Sequence, residues 1–150
     1  MQLFDPKREP ETAEDALAVL MMTLGRRMRM RSGDDLVDPA QMPLLFALSC
    51  RDEARLSDIA HSLHLDASTV SRHVKQLLGK GLIESVIDPI DGRARLVKIS
   101  KDGRKVLEST IETRRQIVAE ALTDWSQPDR KELRDHLNRL TDSFQNRDHG

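Results

Sequence analysis

Apolar side chains recur at helical spacing in both end regions of the chain. After Thr12, which can cap a helix, apolar residues follow at intervals of three and four as far as Met28. A second run with this spacing covers about 101–125, and a third follows a capping-box-like start at Ser126 and Asp129. The pattern therefore predicts long amphipathic helices at both ends of the chain.

The middle third is predicted to contain shorter elements. Asp38 and Pro39 are typical of a helix start. Pro43 is unfavourable within that helix, because proline removes a backbone donor. Ser57 is predicted to cap a short helix, and Asp66 is predicted to cap the next one.

A helix over about 67–80 is expected to follow Asp66 and to end at Gly81, which can adopt a left-handed backbone conformation. Two β-type runs come next, at 82–87 and 95–100, and the segment between them contains an Asp-Gly pair that is typical of a hairpin. The buried stripe of the helix is expected to hold Val70, Val74, Leu77 and Leu78.

A short helix, a turn, a second helix and a β-hairpin, in this order, form a winged helix-turn-helix. We therefore predict a fold that is mainly α with a small β-hairpin (α+β), in one chain of residues 1–150. Residues 38–105 form the winged helix-turn-helix DNA-binding region, and residues 11–37 and 106–146 form long dimerisation helices. A central core of about 50 residues is too small to bury every apolar stripe, so a second copy is expected to cover the excess.

The helix over 67–80 has a polar side that suits a DNA groove. Its side chains are short or basic, and no acidic residue interrupts them after Asp66. Arg72 can form two hydrogen bonds with guanine, Gln76 can pair with adenine, and hydroxyl groups near the helix start can contact phosphates. The predicted DNA-contacting residues of this helix are Ser68, Thr69, Ser71, Arg72, His73, Lys75 and Gln76.

The wing, at about 88–95, adds Arg93 and Arg95 near its tip. A narrow minor groove attracts an inserted arginine through its negative potential. Asp91, two residues before Arg93, is expected to hold the Arg93 guanidinium in a fixed pose. Asp91, Arg93 and Arg95 complete the predicted DNA-contacting set.

The distribution of charge supports this interpretation better than the total charge does. The chain carries 24 Lys and Arg against 25 Asp and Glu, a net charge of −1, which alone argues against a nucleic-acid binder. Residues 51–105 hold 11 basic and 8 acidic residues, whereas 1–50 and 106–150 are both net acidic. The middle third can therefore gain from counterion release on DNA.

The motifs of residues 56–105 resemble the DNA-binding core of MarR-type regulators. The matching segments are S-T-V-S-R in the helix, L-x-x-K-G-L-I before the wing, D-P-x-D-x-R in the wing and I-S-K-D-G after it. The resemblance implies a homodimer whose recognition helices enter the major groove and whose wing arginines reach the minor groove. The implied roles fall on Ser68, Thr69, Ser71 and Arg72 in the helix, and on Asp91 and Arg93 in the wing.

The resemblance also implies a partner and a mode of control. The partner is double-stranded DNA with a pseudo-palindromic operator, and the family default is a repressor released by a small effector, whose identity stays open. Other members respond to oxidants or metals. One alternative is therefore a redox- or metal-responsive member, and another is a winged-helix protein-interaction module that does not bind DNA.

The residues give little support to a sensor chemistry or to catalysis. Cys50 is the single cysteine, and nothing nearby in the sequence marks it as a reactive thiol. His61 and His64 have no third ligand at a suitable spacing, so no metal site and no cofactor are expected. No phosphate-binding glycine loop or nucleophile elbow is present, so an enzyme is not expected. No apolar run is long enough for a membrane span, and a cytoplasmic location is the default expectation.

Overall fold

The computed structural model of the protein describes residues 8–31 and 37–147, apart from the side chain of Arg31. Residues 32–36 of the predicted dimerisation region lie outside the described residues. The chain divides into two compact units, Met1–Arg114 and Arg115–Gly150. The elements are α1 (Ala13–Arg31), a 3-10 helix (Pro39–Gln41), α2 (Met42–Ser49), β1 (Ala54–Arg55), α3 (Leu56–Ser62), α4 (Ala67–Gly79), β2 (Ile83–Ile87), β3 (Arg95–Ile99), α5 (Lys101–Ala121) and α6 (Gln127–Arg147).

The predicted fold class, mainly α with a winged helix-turn-helix core, is confirmed. Helices α3 and α4 are the helix-turn-helix, and β2 and β3 pair as the predicted antiparallel hairpin, from Ile83 opposite Ile99 to Ile87 opposite Arg95. The short strand β1 was not predicted. It pairs with β3 and makes a three-stranded sheet in the order β1-β3-β2.

Two helices begin at residues other than those that the sequence predicted. Asp38 caps the 3-10 helix, accepting a hydrogen bond from the Ala40 N–H at 2.8 Å, and α2 begins only at Met42. Pro43 therefore lies in the first turn of α2, where a backbone N–H has no helical partner, so the expectation that it is unfavourable was wrong. Ser57 lies inside α3 and is not its cap, because α3 begins at Leu56.

The core of the first unit joins α2, α4 and the sheet. Its apolar side chains are almost completely removed from water, and they include most of the predicted stripe of α4. Leu78 was wrongly assigned to that stripe, since it is 37% exposed. The most deeply buried side chains are Leu44, Leu45, Leu48, Ile59, Val70, Leu77, Ile83 and Val97.

The junction after α4 positions the wing against the start of α5. Gly81 has a φ of +69° and ends the helix as predicted. The Ser100 hydroxyl donates to the Gly81 carbonyl at 2.7 Å and accepts from the Gly103 N–H at 2.9 Å. A Cβ atom on Gly103 would lie 1.9 Å from the Leu82 carbonyl oxygen, so the backbones can approach this closely only at a glycine.

The second unit contains α6 and its capped start. The Asp129 N–H donates to the Ser126 hydroxyl at 3.2 Å, and that hydroxyl donates to the Asp129 carboxylate at 2.6 Å, which confirms the predicted cap. None of the described residues of α6 is buried within the chain. Within the described part of the chain, no helix combines the length and the apolar character that crossing a membrane requires.

Candidate nucleic-acid interface

The first turn of α4 is organised around Asp66. Its carboxylate accepts the Thr69 N–H at 2.8 Å, which confirms the predicted cap, and the hydroxyl groups of Ser68 and Thr69 also donate to it. The Ser68 hydroxyl, followed by that of Thr69, lowers the pKa of Asp66 far below its usual range. Both hydroxyl protons are therefore engaged in this conformation, and each must turn before it can donate to a phosphate.

Most of the polar side of α4 is exposed. Arg72 and Gln76 lie one turn apart, so their side chains share a face of the helix. Thr69 is half-buried beside Asp66. The exposed residues of the predicted set on this helix are Ser68, Ser71, Arg72, Lys75 and Gln76.

His73 does not belong to that exposed side. Its side chain is only 8% exposed, and its Nδ1 has no hydrogen-bond partner among the described residues. It follows Val70 by three residues and precedes Leu77 by four, so helical geometry places it on the buried stripe. Its assignment to the exposed DNA-contacting face was wrong, and the sequence spacing already contained the signal.

Gln76 is connected to an element that the sequence did not link with the interface. Its Oε1 accepts a hydrogen bond from Nε2 of Gln41 at 2.6 Å. Gln41 ends the 3-10 helix before α2 and is only 3% exposed. The two residues are 35 positions apart, and no local pattern could have paired them.

The wing is braced at its base by a buried carboxylate. Asp88 is 3% exposed, and its Oδ2 accepts two hydrogen bonds from Arg55, at 3.0 Å from Nε and 2.5 Å from Nη2. Its Oδ1 accepts the backbone N–H groups of Ile90 at 2.8 Å and Asp91 at 3.3 Å. The Ile90 N–H, followed by the Arg55 guanidinium, lowers the pKa of Asp88, whose carboxylate therefore ties the wing loop to β1.

The tip of the wing is shaped by backbone hydrogen bonds. Asp91 accepts the backbone N–H of Arg93 at 3.1 Å, so it holds the Arg93 main chain and not its guanidinium, contrary to the predicted pose. The Ala94 N–H closes the loop onto the Asp91 carbonyl at 2.9 Å. Arg93 and Arg95 are both exposed.

The sequence candidates for sensing lie elsewhere on the surface. Cys50 is exposed, and its Sγ lies 3.9 Å from the Ser49 hydroxyl. His61 and His64 are also exposed. Among the described residues, no three His, Cys, Asp or Glu side chains form a group that could hold a metal ion.

The arrangement of α3, α4 and the hairpin defines a winged helix-turn-helix protein, and comparisons with known proteins agree. The sequence profile of the MarR family matches residues 37–94. YdgJ of Bacillus subtilis, an HTH-type transcriptional regulator, is 31% identical over 110 residues, which are 73% of this chain and 67% of that protein. YxaD, an HTH-type transcriptional regulator of the same organism, is 34% identical over 91 residues, 61% of this chain and 64% of YxaD.

Solved structures show the same fold. A MarR family protein from Bacillus stearothermophilus superposes with a TM-score of 0.79 at 20% identity, covering 88% of this chain and 92% of that one. A mutant MarR from E. coli gives 0.76 at 18% identity, covering 89% and 99%. The chain belongs to the MarR family of helix-turn-helix transcriptional regulators, which bind DNA.

Proposed function

We propose that the protein is a homodimeric, sequence-specific repressor that binds a pseudo-palindromic operator and is released by a small effector. Helix α4 (about 67–80) enters the major groove, and the wing (about 88–95) contacts the adjacent minor groove. The observation that most directly supports this proposal is the succession of two elements. An exposed, acid-free helix face is followed at once by a wing that the buried Asp88 carboxylate, paired with the exposed Arg55, braces.

On α4, Arg72 is the main base-reading residue. Its guanidinium is exposed in the middle of the helix and can form two hydrogen bonds with guanine. Lys75 contacts phosphate, as do the hydroxyl groups of the first turn once they turn away from Asp66. The proposed contacts on this helix are therefore Ser68, Thr69, Ser71, Arg72, Lys75 and Gln76.

On the wing, Arg93 enters the minor groove and Arg95 contacts the phosphate backbone of the DNA. An arginine in a narrow minor groove gains from the enhanced negative potential there. Asp91 contributes indirectly, since its carboxylate shapes the backbone on which Arg93 is carried.

Alanine substitutions test the DNA contacts. Arg72→Ala and Arg93→Ala should each weaken binding to an operator duplex by about tenfold or more, measured by fluorescence anisotropy. Lys105→Ala, which removes an exposed charge from α5, is the matched control and should bind like the wild type. Wild-type affinity in both arginine variants would favour the alternative of a winged-helix interaction module without DNA binding.

A second copy of the chain is proposed to cover the apolar face of α6. No described residue of α6 is buried, although Leu137, Leu140 and Phe144 follow one another at helical spacing and are 43%, 37% and 60% exposed. Contiguous exposed apolar surface of this kind marks an interface. A two-fold dimer would place its two recognition helices on half-sites about 10 base pairs apart.

Sedimentation equilibrium tests the dimer. Phe144→Ser should shift the protein towards monomer. It should also weaken operator binding, because a monomer can contact only one of the two half-sites. Gln145→Ser changes the neighbouring polar residue and should leave the dimer intact. A wild-type protein that sediments as a monomer would contradict this part of the proposal.

The effector is proposed to be a small anionic or phenolic compound. The end of α1 presents Arg26, Arg27 and Arg29, all exposed, which supports an anion over a cation. Operator release can be measured with salicylate and benzoate as probes, with hydrogen peroxide and zinc chloride in parallel. Release by peroxide that disappears in Cys50→Ser would favour the redox-responsive alternative.

A further inference from the structure

Gln41 is a polar side chain in an almost fully buried position. It is 3% exposed, its Nε2 donates to Gln76 at 2.6 Å, and its own Oε1 has no partner among the described residues. Burying an amide with one polar atom unmatched opposes folding. An apolar residue would fill the same space without that cost, so stability does not explain why Gln41 is an amide.

The partner of Gln41 lies on the face of α4 that is proposed to read bases. Gln76 is exposed and follows Arg72 by four residues, so the two side chains are neighbours on the helix surface. The hydrogen bond from Gln41 therefore acts on a side chain that is directed towards the groove. It joins the buried start of α2 to the outer surface of the recognition helix.

The direction of this hydrogen bond sets what Gln76 can offer to DNA. Its Oε1 accepts from the buried Gln41, which turns that oxygen towards the protein interior, and its Nε2 remains available as a donor. With both amides reversed, the two N–H groups of Gln41 would be buried without an acceptor. Unpaired buried N–H groups are rarer in proteins than unpaired carbonyl oxygens, so the observed direction is favoured.

An unrestrained glutamine reads adenine through both ends of its amide, donating to N7 and accepting from the N6 amino group. Gln76 has its accepting end turned to Gln41. A donor alone suits guanine best, because guanine presents two acceptors, O6 and N7, whereas adenine N7 lies beside an N6 amino group that would then lack its acceptor. This differs from the adenine contact that the sequence predicted.

We propose that Gln41 is a positioning residue for base recognition. It holds the Gln76 amide so that Gln76 donates to guanine and does not form the two-bond pair with adenine. The inference rests on the proposed function, in which α4 enters the major groove. It extends the base-reading machinery to a residue that never touches DNA.

Selection from random duplexes tests the proposal with the full-length protein. Gln76→Ala identifies the base position read by Gln76, because preference should be lost there alone. At that position the wild type should favour guanine over adenine by about tenfold. Gln41→Met keeps the length and apolar fit of the side chain but frees Gln76, so this ratio should fall towards one or invert.

Two controls separate positioning from a general loss of structure. Gln41→Met should keep the wild-type salt dependence of binding and the wild-type preference at the base read by Arg72, because neither depends on the Gln76 amide. In a Gln76→Ala background, Gln41→Met should change no base preference.

The outcomes are distinct. Three results would each overturn this inference while leaving the proposed function in place. Gln41→Met could show an unchanged base preference, or the wild type could prefer adenine at the position read by Gln76. Gln76→Ala could also affect no base position at all. A wild-type protein that enriches no sequence would overturn the proposed function, and this inference with it.

Discussion

The guanidinium of Arg55 binds a single carboxylate oxygen of Asp88 through two nitrogens, at 3.0 Å and 2.5 Å. Arg55 ends β1, the short strand that pairs with β3, and Asp88 begins the wing loop. The other oxygen of Asp88 accepts two backbone N–H groups of that loop. One buried carboxylate therefore fixes both the base of the wing and the course of its tip.

Removing the Asp88 carboxylate should loosen the wing. Asp88→Ala leaves Arg55 and two backbone N–H groups without their acceptor, so we expect a lower urea midpoint and weaker operator binding. Glu84→Ala is the matched control, since Glu84 pairs with Lys98 at 3.4 Å on the exposed face of the same hairpin. Exposed pairs contribute little to stability, so an equal loss in both variants would contradict the role given to Asp88.

Low pH should remove the stabilisation that the ionised Asp88 carboxylate provides. The pKa of Asp88 is lowered in the folded chain, first by the Ile90 N–H and then by Arg55, so the folded state favours the ionised form. This contribution is complete above the ordinary Asp pKa of about 3.9 and is lost as the pH falls through the lower pKa of the folded state. The difference in unfolding free energy between the wild type and Asp88→Asn should therefore shrink below about pH 4. A difference that stays constant from about pH 7 to about pH 3 would exclude this explanation.

Two substitutions of Asp66 should destabilise the start of α4 to different extents. Asp66→Ala removes the acceptor of the Thr69 N–H and of two hydroxyl groups, so α4 should be destabilised. Asp66→Asn keeps one side-chain oxygen as an acceptor and should therefore destabilise α4 less than Asp66→Ala does. Amide hydrogen exchange at Thr69 is the measurement, and equal exchange rates in the three proteins would argue against the cap.

Two glycines near the wing should respond to alanine in opposite ways. Gly103→Ala places a Cβ against the Leu82 backbone, and because neither backbone can move freely it should cost about 1–3 kcal/mol or more. Gly79 lies in the last turn of α4, and a Cβ atom added there would meet no atom within 4 Å apart from the adjacent helix backbone, so Gly79→Ala should stabilise by about 0.4–1 kcal/mol. Urea unfolding of both variants tests the contrast, and a neutral Gly103→Ala would show that α5 can move away from the sheet.

Most of the fold and part of the candidate site followed from local patterns. Helical spacing found the long helices, the Asp66 cap marked the start of α4, and Gly81 marked its end. The errors were also local. Leu78 is exposed and His73 is buried, opposite to the prediction, because the helical phase set by Val70 and Leu77 places His73 on the buried side. Pro43 was misjudged because the 3-10 helix shifts the start of α2 by three residues.

The two relationships that organise the interface were beyond local reasoning. Arg55 and Asp88 are 33 positions apart, and Gln41 and Gln76 are 35 apart. Neither pair has a spacing that a helix or a hairpin would bring together. The sequence predicted the polar residues of α4, but only the packed chain shows the hydrogen bond that Gln41 donates to Gln76.

By itself, the sequence determined the order of elements, the capped and acid-free helix that follows Asp66 and the charged wing. These features depend on hydrogen bonds and apolar spacing within a few residues of each other. The tertiary structure decided that Arg55 braces the wing through Asp88 and that Gln76 is held by Gln41. These contacts arise only when distant segments pack around one core, because packing, and not sequence distance, selects which buried polar groups meet.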